Sequence, residues 1–167
     1  MPHRFFKNLG RRALAEMIAL YSSIVVACVL AVAAWGKIFY PSEYLKTLDR
    51  WTSVFEIIFL FTIVIFRKRR QLWLLASSIF AAWGGYALFW CCVKLPCACM
   101  GKMLNIPSAV SISLDALFFI LSLFVSCLLG SQLRSICWGL IAGCLAILAG
   151  YAFASLVYEK IFLASLG

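Results

Sequence analysis

The segment Cys91-Cys92-Val93-Lys94-Leu95-Pro96-Cys97-Ala98-Cys99-Met100-Gly101 holds four of the chain's eight cysteines. Thiols this closely spaced suit thiol–disulfide exchange better than fold stabilisation. A bridge between Cys97 and Cys99 closes a tiny loop, so it removes little entropy from the unfolded chain. Residues two apart bring their Cβ atoms together only through a sharp bend, which strains the bond. Strained, exposed disulfides have higher potentials and tend to be labile or catalytic. Cys97 and Cys99 are therefore the candidate catalytic pair, and a redox-active disulfide is the expected reactive group. Cys91 and Cys92 are candidate resolving or relaying thiols. A metal centre is disfavoured, because zinc takes four ligands, neighbouring Cys91 and Cys92 chelate poorly together, and His3 is the one histidine. Cys28, Cys127, Cys137 and Cys144 lie inside apolar runs and read as ordinary small core residues.

Three ionisable residues inside apolar runs form a second group. Such groups are costly in a membrane and by default mark function. They are Lys37, Glu56 and Asp115. In the plain reading, Lys37 and Asp115 snorkel to the interface, or Lys37 neutralises Glu56. Asp115 also suits the first turn of a helix, with Ser108 or Ser111 as cap. In the sharper reading, Lys37 favours a nearby thiolate and Glu56 or Asp115 relays a proton. Trp35, Tyr86 and Trp90 either belong to interfacial aromatic belts or line a site for a flat aromatic ligand.

The elements that position these residues follow from composition. The chain has 167 residues, 65% apolar and 13% charged, against about 45–50% and about 25% in soluble domains. An all-α integral membrane protein is expected, with residues 1–167 forming a single transmembrane helical domain. Five spans are legible: roughly Leu14–Phe39, Trp51–Phe66, Gln71–Val93, Ile112–Leu129 and Ile136–Leu163. The second is short against the usual ~20 residues. The net charge of +9 gathers beside apolar runs and reads as a topology signal, not as a nucleic-acid footprint. Arg4, Lys7, Arg11 and Arg12, then Arg67 to Arg70, then Arg134 all fall on one side. That side is assigned to the cytoplasm, with the N-terminus in and the C-terminus out. The cysteine loop then lies outside the cytoplasm, where disulfides persist, and Lys37, Glu56 and Asp115 share its layer. A cleaved signal peptide over residues 1–33, ending Ala31-Val32-Ala33, is the competing reading of the first run. Gly139 and Gly143, four apart, make a smooth groove for close helix approach. It serves bundle packing, with Ser122 and Ser126 as candidates to face it, or a homodimer.

Pro96-Cys97-Ala98-Cys99-Met100-Gly101 resembles the Cys-x-Cys-Phe-Gly motif of the methylamine utilisation protein E (MauE) family, within the wider DoxX-like group. Gly36-Lys37 with Pro41 is similar to the end of that group's first span, and Glu56 matches the acid typical of its second. The similarity covers roughly residues 14–130, leaving 136–163 as an added helix. Met100 stands where Phe is usual, Trp35 where a small residue is common, and the Cys91-Cys92 pair is outside the motif. The resemblance implies a four-helix core like that of quinone-linked disulfide-forming enzymes and vitamin K epoxide reductase, with electrons passing between periplasmic thiols and the membrane. It implies a bacterial inner (cytoplasmic) membrane protein with quinone as the acceptor. The implied partner is a periplasmic thioredoxin-fold or disulfide-containing protein. A non-catalytic assembly factor for a periplasmic protein is the alternative. A small transporter ranks below both, since no broken-helix or inverted-repeat signature is visible.

Overall fold

A computed structural model describes residues 2–41, 45–95, 106–130 and 133–160. These residues form five helices: α1 (Pro2–Phe39), α2 (Lys46–Ile65), α3 (Arg70–Cys92), α4 (Ser108–Leu129) and α5 (Leu133–Tyr158). The helices alternate in direction. The start of α1, the α2–α3 turn, the end of α4 and the start of α5 therefore share one end, which carries Arg67 to Arg70. The end of α1, the start of α2, the end of α3, the start of α4 and the end of α5 share the other.

Four helical segments are long and apolar enough to cross a membrane: Arg12–Phe39, Arg70–Cys92, Ser108–Leu129 and Ile136–Tyr158. The chain therefore reads as a multi-pass helical membrane protein. Helix α2 has the length, 20 residues, or about 30 Å at 1.5 Å per residue, but carries too much charge to stand out by hydropathy. Its burial explains that. Asp49, Ser53, Glu56, Phe59 and Ile63 face inward, a spacing of four, three, three and four that keeps one helical face. Trp51, Val54, Phe55, Ile58, Phe61 and Ile65 face outward. The helix is amphipathic with its polar side inside, the reverse of a water-soluble surface helix.

The same inversion holds throughout. Ser22, Ser23, Ser53, Ser77, Ser122 and Ser126 are buried, while Ile58, Ile120, Trp138, Leu145 and Leu148 are each at least 60% exposed. Apolar side chains on the outside fit lipid, which solvates them as well as a core would. Cys28, Cys137 and Cys144 also face outward, and Cys127 is half-buried. The expectation that these four are core residues is corrected: a thiol is a small hydrophobe and is as comfortable against lipid.

Helix α1 begins at Pro2, twelve residues before the expected boundary, and ends where Pro41 prevents continuation, its last turn closed by Tyr40 N–H to Gly36 O at 2.9 Å. Ala19, Val26 and Leu30 of α1 belong to the main core, so cleavage after Ala33 would remove part of that core. Helix α2 begins five residues before the expected Trp51. The α2–α3 turn is fixed by Arg69 N–H to Phe66 O at 2.8 Å and by the indole of fully buried Trp73 donating to Arg67 O at 2.7 Å.

Helix α2 packs along α1, α1 also packs on α4, and α3 packs extensively on both α4 and α5. Helix α2 meets α3 through aromatic side chains. Phe55 and Trp83 lie edge to face at 6.4 Å, as do Phe59 and Phe80. Helices α3 and α5 approach much more closely. A Cβ on Gly85 would sit 2.1 Å from Ile147 O, and one on Gly150 would sit 1.9 Å from Ala82 O. The Gly139–Gly143 groove is filled within the chain: a Cβ on Gly139 would meet Leu123 at 2.9 Å, and one on Gly143 would meet Phe119 at 2.7 Å. Phe119 and Leu123 occupy it, not Ser122 and Ser126. A homodimer seam through Gly139 and Gly143 has no free groove left to use.

Candidate functional site

Close packing of α3 on α5 and wide spacing of α2 from α3 leave a cavity in the half of the bundle away from the basic end. Its volume is ≈ 370 Å³, and its lining includes Lys37 from α1, Asp49 and Glu56 from α2, Trp83 and Tyr86 from α3, Asp115 from α4, and Gly150 and Phe153 from α5. That volume is within the range of small-molecule sites, and an apolar wall with a few converging polar groups is their usual make-up.

Lys37 and Glu56 meet inside it. The Lys37 ammonium donates to Glu56 Oε1, and the two side chains are 8% and 3% exposed. The pair joins the last turn of α1 to the middle of α2, a choice that neither helix dictates alone. Removing both charges from water costs several kcal/mol per ion, so the pair persists only because each partner compensates the other. The compensation is incomplete, since Glu56 Oε2 is buried and has no hydrogen-bond partner. A buried carboxylate oxygen lining a cavity is a ready acceptor for a ligand donor.

Asp115 comes from the second turn of α4, not the first. Its Cβ lies 3.5 Å from where a Gly84 Cβ would stand, so Asp115 packs against α3 at ordinary contact distance. Asp49 is the lining acid that sequence reading left in a loop. It is 3% exposed, in the first turn of α2. The available signal was its seven-residue spacing from Glu56, which places both on one helical face. Because α2 starts at Lys46 and not at the expected Trp51, Glu56 lies about 15 Å along the helix instead of about 7.5 Å.

The aromatic candidates separate. Tyr86 lines the cavity. Trp90 does not line it, but its ring lies 5.9 Å from that of Tyr86, in a cluster with Phe89 and Tyr158. Trp35 points outward, 58% exposed, with its ring 4.2 Å from Phe39. With exposed Trp51 and Tyr40, it occupies the level of an interfacial belt. Phe80, Trp83, Phe118 and Phe153 are the further cavity aromatics, none of which sequence reading singled out as lining a site.

Cys91 and Cys92 form the last turn of α3 as free thiols, half-buried and exposed respectively. Cys97 and Cys99 lie outside the described residues. The ends of their segment are held at the cavity end of the bundle. Leu95 N–H donates to Trp90 O and Lys94 N–H to Cys91 O, both at 3.1 Å. This is the double bond pattern of a Schellman motif, with Lys94 at φ 57° in place of the usual glycine. Ser108 Oγ then donates to Leu95 O at 3.0 Å, tying the start of α4 to the end of α3. Among the described residues, no three His, Cys, Asp or Glu side chains group as metal ligands would.

Chemically, the arrangement offers one ammonium donor, carboxyl groups that can accept hydrogen bonds or carry protons, and flat aromatic walls, in the half of the bundle where α3 ends at Cys91 and Cys92. The chain matches no family model, no curated protein and no solved structure in the comparisons made.

Proposed function

We propose that this chain is a membrane thiol–disulfide relay that passes electrons from periplasmic thiols to a quinone. One observation carries the reading: a ligand-sized apolar cavity holding the Lys37–Glu56 pair lies in the half of the bundle where α3 ends at Cys91 and Cys92 and α4 begins, the two helix ends that Cys97 and Cys99 separate in the sequence. The basic end faces the cytoplasm, all five helices span, and the cysteines face the periplasm of a bacterial inner membrane. The likeness of the Cys97-Ala98-Cys99 segment to the MauE family supports the same reading.

The steps balance as follows. A thiolate of a periplasmic partner attacks a sulfur of the Cys97–Cys99 disulfide, forming a mixed disulfide and releasing the other cysteine as thiolate. A second partner thiolate resolves the mixed bond, leaving the partner oxidised and Cys97 and Cys99 as a dithiol. The dithiol returns to disulfide by giving two electrons and two protons to quinone, which becomes quinol. Lys37 is suited to donate to a quinone carbonyl, Glu56 Oε2 to accept from a quinol hydroxyl, and Asp115 to carry a proton.

The test is alkylation of sealed, right-side-out membranes with a membrane-impermeant maleimide. The outer cysteines should be blocked at rest, open after mild reduction, and blocked again once quinone is added. Cysteines that stay free throughout, or react only from the cytoplasmic side, would overturn the relay. Trapping of mixed disulfides by Cys97→Ser should accompany loss of function at unchanged protein level. Unimpaired function in Cys97→Ser would leave a non-catalytic assembly role.

A further inference from the structure

The cavity's charged groups and its most exposed lining residues sit on different helices. Its charged groups come from α1, α2 and α4, with Glu56 2% exposed. Its most exposed lining comes from α5, where Ala149 and Phe153 reach the outer surface. Leu48 and Thr52 of α2 line it too, and both are half-buried. Helix α2 packs along α1 and not along α5. Helix α5 cannot swing across to close the gap, because Gly85 and Gly150 press it backbone to backbone against α3.

From this geometry we infer that the cavity is loaded sideways from the bilayer, through a portal between α2 and α5, by an uncharged amphiphile whose tail stays in that portal. The inference deepens the relay reading by giving the ligand's class and route, and it rests on that reading only for the ligand's redox role. The head is set by charge. Among the described lining residues Lys37 is the one cation, and Glu56 already pairs with it, so an anionic phosphate head would find no counter-ion there. The unpartnered Glu56 Oε2 favours a head that presents a hydroxyl. The tail is set by the portal. Ala149 leaves its narrow side open, and Phe153 provides an apolar edge that contacts Tyr86, with ring centroids 6.3 Å apart.

The test uses the full chain in phosphatidylcholine nanodiscs and two probes, a decyl-tailed benzoquinone and its tail-less parent, with binding read by tryptophan quenching. Ala149→Phe narrows the portal without touching the charged groups. It should weaken the decyl probe about tenfold, the effect of roughly two methylene groups losing their buried contacts, and leave the tail-less probe within about twofold. Phe153→Ala, which widens the portal, should speed association of the decyl probe alone, so a misfolded Ala149→Phe does not end the test. Equal effects on both probes, or none on either, would overturn the portal. Displacement of the decyl probe by phosphatidylglycerol would overturn the uncharged head. Portal-dependent binding without reoxidation of the thiols would sink the relay and keep this inference. Reoxidation without tail discrimination would do the reverse.

Discussion

Replacing Lys37 with Met leaves the Glu56 carboxyl buried without its ammonium. Both side chains are under a tenth exposed, so water cannot take over the role of the lost partner. Breaking a buried pair in this way costs about 3–5 kcal/mol. Lys37→Met should therefore destabilise by about that amount. Lys37→Met with Glu56→Gln removes the uncompensated charge. It should return to within about 1.5 kcal/mol of the parent, the usual cost of a near-isosteric core change. Equilibrium unfolding in bicelles, measured by steric trapping, reads both quantities. A Lys37→Met deficit below about 1 kcal/mol, the size of an exposed pair, or a double variant no better than the single, would refute the account of the pair.

Two further expectations test the packing that shapes the cavity. Gly150→Ala puts a Cβ 1.9 Å from a backbone carbonyl that cannot rotate away, so it should destabilise by about 2–3 kcal/mol, the upper range for overpacking. Gly139→Ala meets only the movable side chains of Leu123 and Leu74 and should stay within about 1 kcal/mol of the parent, helped by the better helix propensity of alanine. Thermal melting in detergent compares them, and equal losses would contradict the α3–α5 contact. Lys94→Gly should stabilise by about 1 kcal/mol, because Lys94 holds a left-handed conformation that costs a residue with a side chain about that much. An unchanged melting temperature would argue against that conformation.

Much was legible in the residues themselves, because a membrane imposes a simple rule on each helix. Every backbone polar group must be satisfied within its own segment, so long apolar runs read directly as helices. Four of the five stand out by hydropathy alone, and three ionisable residues within the runs point to one layer of the bundle. Helix ends were less legible. Helix α2 starts at Lys46 because a charged turn can be buried when its polar face points inward. Local sequence cannot reveal that without knowing which side the neighbours occupy. For the same reason, Asp49 reads as a loop acid in sequence and lines the cavity in the structure.

What the chain determines by itself is its inverted character: polar residues on inner faces, apolar residues toward lipid, and the larger share of its basic residues at one end. Only the tertiary structure decided the pairing of Lys37 with Glu56, since these residues lie on different helices and either could have met another partner. It decided that Phe119 and Leu123 fill the groove at Gly139 and Gly143, a matter of which helix arrives first at a small-residue face. It also decided that a cavity exists. Glycines let α3 and α5 touch backbone to backbone, while Phe55, Phe59, Phe80 and Trp83 keep α2 and α3 apart. Each helix carries only its own half of those distances, and the space between them is a property of the assembled bundle.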